Sequence, residues 1–308
     1  MLRSLRTQGR VVLRAAWLSC TAYWLGACVA APAPAPSAAV AASQTPTAPR
    51  VGKPVEGQCL PPTALSTEFY GSADFPSNDC RRKARERVAR MTVEEKIGQM
   101  LQPGHDQIAQ SPTDVSTRYL GSVLSGGGQG PRDPTPLEWA KLVQSYRAES
   151  LKTPLAIPIL YGVDAVHGHN NVRGAVLFPH NIGLGAAGDP ALVERVARAT
   201  AEEMVATSVD WTFAPVLGAA RDERWGRTYE AFGETYDLAA TFGAAAIRGY
   251  QGNRLGQAPN SVLACAKHFV GDGHTTGGKD QGDAAVSDDD LERQLLPAYA
   301  AAVEAGVG

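Results

Sequence analysis

The chain has 308 residues, with 29 Lys+Arg against 31 Asp+Glu and 44% hydrophobic residues. That length and balance suit a globular protein with a large core, and only 19% charged residues argue against a disordered or nucleic-acid-coating chain. The 32 Gly and 21 Pro follow no G-X-Y period, which excludes a collagen-like fibre.

The first elements are those of export. Arg3, Arg6, Arg10 and Arg14 precede an uncharged apolar stretch from Ala15 to Ala27, too short to span a bilayer but suited to a signal peptide over residues 1–28. Leu25-Gly26-Ala27-Cys28 resembles a bacterial lipobox and predicts membrane attachment through a lipidated Cys28; Val29-Ala30-Ala31 offers ordinary cleavage after Ala31 instead. An Ala/Pro-rich tether follows over residues 29–55. Losing the leader removes four arginines and no acid, so the mature chain is mildly acidic and no nucleic-acid partner is expected. The expected location is the periplasm or outer membrane of a Gram-negative bacterium, or the medium. Cys59 and Cys80 would either pair in that oxidising compartment or remain two thiols, while Cys265 lies in an apolar run and reads as core.

Regular patterning begins near residue 78. Thr92 with Glu95 forms a capping box that opens a helix to about Met100. Short strands are expected at 121–124, 155–163, 182–187, 211–217 and 262–270. Asp189-Pro190 opens a helix with Leu192, Val196, Thr200 and Met204 on one face. A second runs from about Glu234 to Ile247, and a third opens at Ser287, presents Leu291, Leu295, Ala298 and Ala302, and stops at Gly306. Strands alternating with helices indicate a parallel α/β architecture. Asp164 and the Lys267-His268 pair fall at strand ends, and Arg221, Asp222, Glu223, Arg224, Trp225 and Arg227 lie in a loop after Leu217. The carboxyl ends of strands are where barrels and open α/β sheets build their sites.

Three local motifs compete with that picture. Gly183-x-Gly185-x-x-Gly188 is a literal dinucleotide fingerprint, but Asp189-Pro190 starts the helix after the third glycine, so a tight turn is expected rather than a nucleotide site. Gly126-Gly127-Gly128-Gln129-Gly130 lacks the Lys-Ser/Thr of a phosphate loop. His167-x-His169 after Asp164 would serve a metal-dependent barrel hydrolase only with further ligands, and the chain holds six histidines in all. No metal and no cofactor is therefore expected.

Four strings together resemble glycoside hydrolase family 3: Y-G-V-D-A-V-H-G-H-N-N-V from Tyr161, F-P-H-N-I-G-L-G from Phe178, R-D-E-R-W-G-R-T-Y-E from Arg221, and K-H-F-V-G-D-G from Lys267. They occur in the family's order over roughly residues 80–308, and the chain is most similar to β-glucosidases and exo-β-glucan glucohydrolases. The resemblance implies a (β/α)₈ TIM-type barrel and a smaller α/β sandwich domain behind it. The activity implied is retaining hydrolysis of terminal non-reducing β-D-glucosyl residues, with β-linked glucosides or gluco-oligosaccharides as partners. It also implies that Asp164, Arg227, Lys267 and His268 contact the terminal sugar, and that the Lys267–His268 bond is cis, because consecutive strand residues otherwise face opposite ways. Val270 and Asp272, where the family's N-acetylglucosaminidases carry Pro and His, favour a glucosidase. His274 departs from the Gly usual in relatives.

Retaining hydrolysis needs two carboxyl groups about 5–5.5 Å apart. The family takes its nucleophile from an S-D-W segment and its acid/base from the following domain, and the sequence contains neither. No catalytic residue is assigned within the chain; the nucleophile Asp and the acid/base Glu are expected beyond Gly308. Residues 56–308 are expected to be an incomplete barrel, truncated before closure and without the sandwich domain. Such a chain would leave unpaired strand edges and be unstable alone. Two other functions stay open: a non-catalytic sugar-binding lipoprotein, and a metal-dependent hydrolase using His167 and His169.

Overall fold

The structure is a computed structural model that describes residues 78–253 and 255–308. The signal peptide, Cys28, the tether and Cys59, with its suggested pairing to Cys80, lie outside the described residues.

A basic helix, α1 (Asn78–Arg90), leads into α2 (Val93–Gln99). Both bonds of the expected capping box are made there: Glu95 N–H donates to Thr92 Oγ1, and Thr92 N–H donates to the Glu95 carboxylate. Two short turns, α3 (His105–Ile108) and α4 (Asp114–Thr117), precede β1 (Ser122–Ser125). Next come α5 (Pro136–Ser150), β2 (Leu160–Val163), α6 (Asn181–Ala187), α7 (Pro190–Ala206) and β3 (Trp211–Thr212). α8 (Tyr236–Gln251) packs against α7 and against the last helix. That last helix is continuous across α9 (Asp288–Asp290), a π-helical stretch (Leu291–Leu295) and α10 (Leu296–Glu304).

The three strands form one parallel sheet in the order β1-β2-β3, with Ser122 opposite Leu160 and Gly162 opposite Trp211. Consecutive parallel strands joined by helices are the arrangement of a β/α barrel; among the described residues the sheet is open. A fourth segment continues the order. Leu263 bridges Trp211, Lys267 bridges Val216, and both bridges are parallel. Five steps from Trp211 to Val216 face four from Leu263 to Lys267, so the first path carries one extra residue, as in a β-bulge. Pro215 lies in that stretch and has no N–H to donate. The interrupted ladder explains why the expected strands at 211–217 and 262–270 reduce to Trp211–Thr212 and isolated bridges.

The core lies where α5 and α7 cover the sheet. Trp139 and Tyr146 of α5 are buried against Tyr161 of β2, with ring centroids 6.4 and 6.0 Å apart. On α7 the buried face is Val193, Ala197, Thr200, Ala201 and Met204; Thr200 and Met204 lie on it as expected, while Val193 and Ala197 take the places expected of Leu192 and Val196, and Asp189 caps Leu192 N–H as anticipated. Gly306 ends α10 in a left-handed conformation: its N–H donates to the Val303 carbonyl and Val307 N–H to that of Ala302.

The expected strand at 182–187 is instead α6, and the glycine fingerprint lies inside it. Its last glycine, Gly188, is the left-handed C-cap. A Cβ at Gly185 would sit far inside contact distance of the Phe232 carbonyl oxygen, whereas one at Gly183 would meet only Pro179 Cβ at 3.5 Å. Glycine at 185 therefore serves close packing of the helix on the loop before α8. Gly185→Ala should destabilise the fold by about 1–3 kcal/mol, and Gly183→Ala should be neutral or stabilising by up to about 1 kcal/mol; urea midpoints of the two variants check the contrast.

Candidate active site

Parallel order brings the carboxyl ends of the strands to one edge, and the polar residues gather there. Asp164 follows β2 directly, and Lys267 ends the fourth segment. Backbone bonds fix that segment: Lys267 N–H donates to the Pro215 carbonyl, and Leu217 N–H to that of Lys267, at 3.0 and 2.7 Å. The two side chains, 103 positions apart in sequence, meet with Lys267 Nζ 2.8 Å from Asp164 Oδ1. The lysine side chain is only 10% exposed against 34% for the aspartate. An ammonium so buried needs its carboxylate, while the carboxylate keeps an oxygen toward solvent.

The Lys267–His268 peptide is cis, as expected, and so are Ala214–Pro215 and Phe269–Val270. His268 is 41% exposed, and its Nδ1 lies 2.6 Å from Asp272 Oδ2. Arg227 extends from the loop after the third strand and is held fork to fork by Glu230, with Nε and Nη2 each 2.8 Å from a carboxylate oxygen. Those bonds raise the guanidinium's affinity for its proton; burial opposes them, and the nearby carboxylates of Asp272 and Asp280 reinforce them. So Asp272 touches His268 and lies within the field of Arg227. Of these four residues, Asp164 and Lys267 bond each other, whereas His268 bonds Asp272 and Arg227 bonds Glu230.

Gly308, beyond which the sequence reading puts the reacting carboxyl groups, takes no part in this edge. Its N–H donates to Gln251 Oε1 at 3.1 Å, and a Cβ on it would collide with Leu263, at the other end of the fourth segment from Lys267. The residue packs against α8.

Close backbone approach locks the two loops that carry this chemistry. Gly273 has φ +86°, and a Cβ there would collide with the Ala219 carbonyl oxygen. Trp225 is buried between the loops and donates from Nε1 to Asp280 Oδ1 at 3.3 Å. Asn181, at the start of α6, donates to the Glu230 carbonyl at 2.8 Å and so steadies Arg227's partner. The resemblance assigns Glu230 and Asp272 no contact with the sugar. Their signal was spacing: Glu230 is three residues beyond Arg227, and Asp272 four beyond His268.

The other histidines are dispersed. His167 Nδ1 bonds the Phe178 carbonyl, and its ring lies with its centroid 4.1 Å from that of His180, which in turn meets Tyr229 at 4.5 Å. Burial, then the neighbouring His167, lowers the proton affinity of His180. His274 packs on Tyr236, whose hydroxyl is 2.9 Å from its Nδ1; burial lowers the imidazole's pKa and pushes the phenol up to about 12. His169 points away from His167 into the core, against Trp139. Among the described residues no three His, Cys, Asp or Glu side chains gather as a metal ion would require. Cys265 is half-buried, and burial raises its thiol's pKa.

His169 is part of the fold's pH response. Thr207 gives its hydroxyl proton to the Met204 carbonyl, so His169 Nε2, 2.9 Å away, is the donor of a neutral imidazole. Burial depresses its pKa from 6.5 to about 4. The unfolded imidazole takes up a proton first, so this contribution is complete above pH 6.5 and lost as pH falls toward 4, by about 3 kcal/mol in total. Unfolding midpoints between pH 7 and 4 should fall more steeply for the native chain than for His169→Gln; parallel curves would contradict the assignment.

Known proteins carry the same framework. The family profile described as "Glycosyl hydrolase family 3 N terminal domain" matches residues 92–308. A lysosomal beta glucosidase of Dictyostelium discoideum is 36% identical over 244 residues, covering 72% of this chain and 30% of that protein. A periplasmic beta-glucosidase of Salmonella typhimurium is 27% identical over 245 residues, covering 80% and 30%. The crystal structure of an exo-1,3/1,4-beta-glucanase from a Pseudoalteromonas species superposes with a TM-score of 0.67 at 37% identity, covering 75% of this chain and 30% of that one. The chain thus spans about 30% of the length of these relatives.

Proposed function

The chain belongs to glycosyl hydrolase family 3, and we propose that it supplies the sugar-binding edge of an exo-acting β-glucosidase. The reaction is retaining hydrolysis of terminal non-reducing β-D-glucosyl residues. The single observation that carries this is the pairing of Lys267 with Asp164 at the carboxyl edge of the sheet, beside His268 and within reach of the loop that presents Arg227.

The chemistry follows from what each group can donate or accept. The free oxygen of Asp164 accepts from sugar hydroxyls, while Lys267 and Arg227, already charge-balanced, donate to sugar oxygens. A pyranose held by such groups before reaction needs little rearrangement as its ring flattens toward the oxocarbenium-like state. The carboxylates at this edge are engaged: Asp164 with Lys267, Glu230 with Arg227 and Asp272 with His268. We assign none of them as nucleophile or acid/base and place the reacting pair outside this set. The substrates we propose are β-linked glucosides or gluco-oligosaccharides, in line with the relatives' names. The leader sequence and the periplasmic relative support export, and the lipobox-like string ending at Cys28 is the ground for proposing lipid attachment there. No described helix is long and apolar enough to cross a membrane.

The non-catalytic lipoprotein reading would share this sugar site, and the two separate on turnover by the whole gene product. The metal-hydrolase reading gains no support from His169, which faces Trp139 and Thr207. In calorimetric titration with glucose, Lys267→Met and Asp164→Ala should each weaken binding about ten- to hundredfold, the loss of a charge-assisted hydrogen bond. Unchanged affinity in either folded variant would sink the site assignment. The 308-residue chain alone should turn over no aryl β-glucoside; turnover by it would overturn the division of labour.

A further inference from the structure

We infer that Asp272 is a positioning residue: it fixes the tautomer and orientation of His268 so that the imidazole's Nε2 accepts a hydrogen bond from a sugar hydroxyl. This rests on the sugar-site reading above and adds to it a polarity and a residue outside its four contacts.

A carboxylate oxygen at 2.6 Å from Nδ1 can only accept, so the Nδ1 position must carry the proton. On a neutral ring Nε2 is then bare and is an acceptor. Nε2 is on the far edge of the ring from Asp272, and the side chain it belongs to is 41% exposed, against 13% for the aspartate. The carboxylate is thus the more shielded member of the pair and the imidazole the more exposed one.

Asp272 is held by its backbone. A Cβ at Gly218 would stand 2.9 Å from the Asp272 carbonyl oxygen, so the loop after the third strand and the loop carrying Asp272 lie in close contact. The next residue, Gly273, uses a left-handed φ of +86° to fit against Ala219. Arg227 feels the same carboxylate through space. Asp272 thus orients His268, while Glu230 holds Arg227, and the edge offers two acceptors, Asp164 and His268 Nε2, with two donors, Lys267 and Arg227. A hydroxyl both donates and accepts, so this alternation suits a polyhydroxylated ring and disfavours a ligand with acceptors only.

The test reads the ring directly. In the full chain with ¹⁵N-labelled histidine, long-range ¹H–¹⁵N spectra should show His268 protonated at Nδ1 and bare at Nε2 when neutral, its signals assigned by their loss in His268→Gln. Asp272→Ala should release the ring to the opposite tautomer and weaken glucose binding about tenfold. Asp272→Asn keeps an oxygen to accept from Nδ1–H and should recover most of both. An Nε2–H tautomer in the native chain, or a tautomer and affinity indifferent to Asp272→Ala, would overturn the inference. Should Asp272→Ala fail to fold, the native-chain spectrum and the Asn variant decide it. If the native chain binds no glucose, the sugar site falls, while the tautomer still decides whether Asp272 positions His268.

Discussion

A lysine ammonium nine-tenths removed from water tolerates few arrangements, and the one adopted here organises the whole edge of the sheet. Lys267 reaches Asp164 across 103 residues of sequence, and the two meet only because β2, β3 and the 263–267 segment run parallel and end together. Slipping the last segment by one residue would turn the lysine to the opposite face and leave two charges half-buried without partners. Strand register and the chemistry at the strand ends are thus one constraint seen from two sides.

Glycine extends that constraint into the loops. Side chains at Gly218 or Gly273 would push apart the segments that carry Arg227 and Asp272, and Gly185 lets α6 rest on the backbone that follows Glu230. Trp225 fills the space between the loops and ties them through Asp280. The result is a set of charged groups that are mutually satisfied before any ligand arrives. That is the condition for binding without reorganisation in a site of reduced dielectric.

Much of this was legible because it is local. The caps at Thr92 and Asp189 and the stop at Gly306 depend on side chains within a few residues of the backbone groups they satisfy, and each stands where its signature predicted. No helix was expected at α5, although Thr135 caps the Glu138 N–H in the same way. What was misread depends on partners far away. The run at 182–187 is apolar enough for a strand, and only its neighbours select a helix. The segments at 211–217 and 262–270 are strand-like in composition, but the extra residue at their bulge is visible only once they lie side by side. Asp164, Arg227, Lys267 and His268 came from motif resemblance, and the structure adds what the motif did not specify, namely which carboxylate answers each cation.

The histidines show most plainly why residue type alone does not assign a role. His167 and His169 have the spacing of a ligand pair, yet one rests beside His180 and the other is sealed against Trp139 with its proton given to Thr207. His268 has no such motif of its own and stands beside a lysine. What distinguishes it is a largely shielded carboxylate bonded to Nδ1 and a side chain that is itself 41% exposed. In His169 burial holds the ring neutral and closes it to any ligand; in His268 a single carboxylate holds one nitrogen and leaves the other turned outward. The difference between a core histidine and a half-exposed one lies in the second partner.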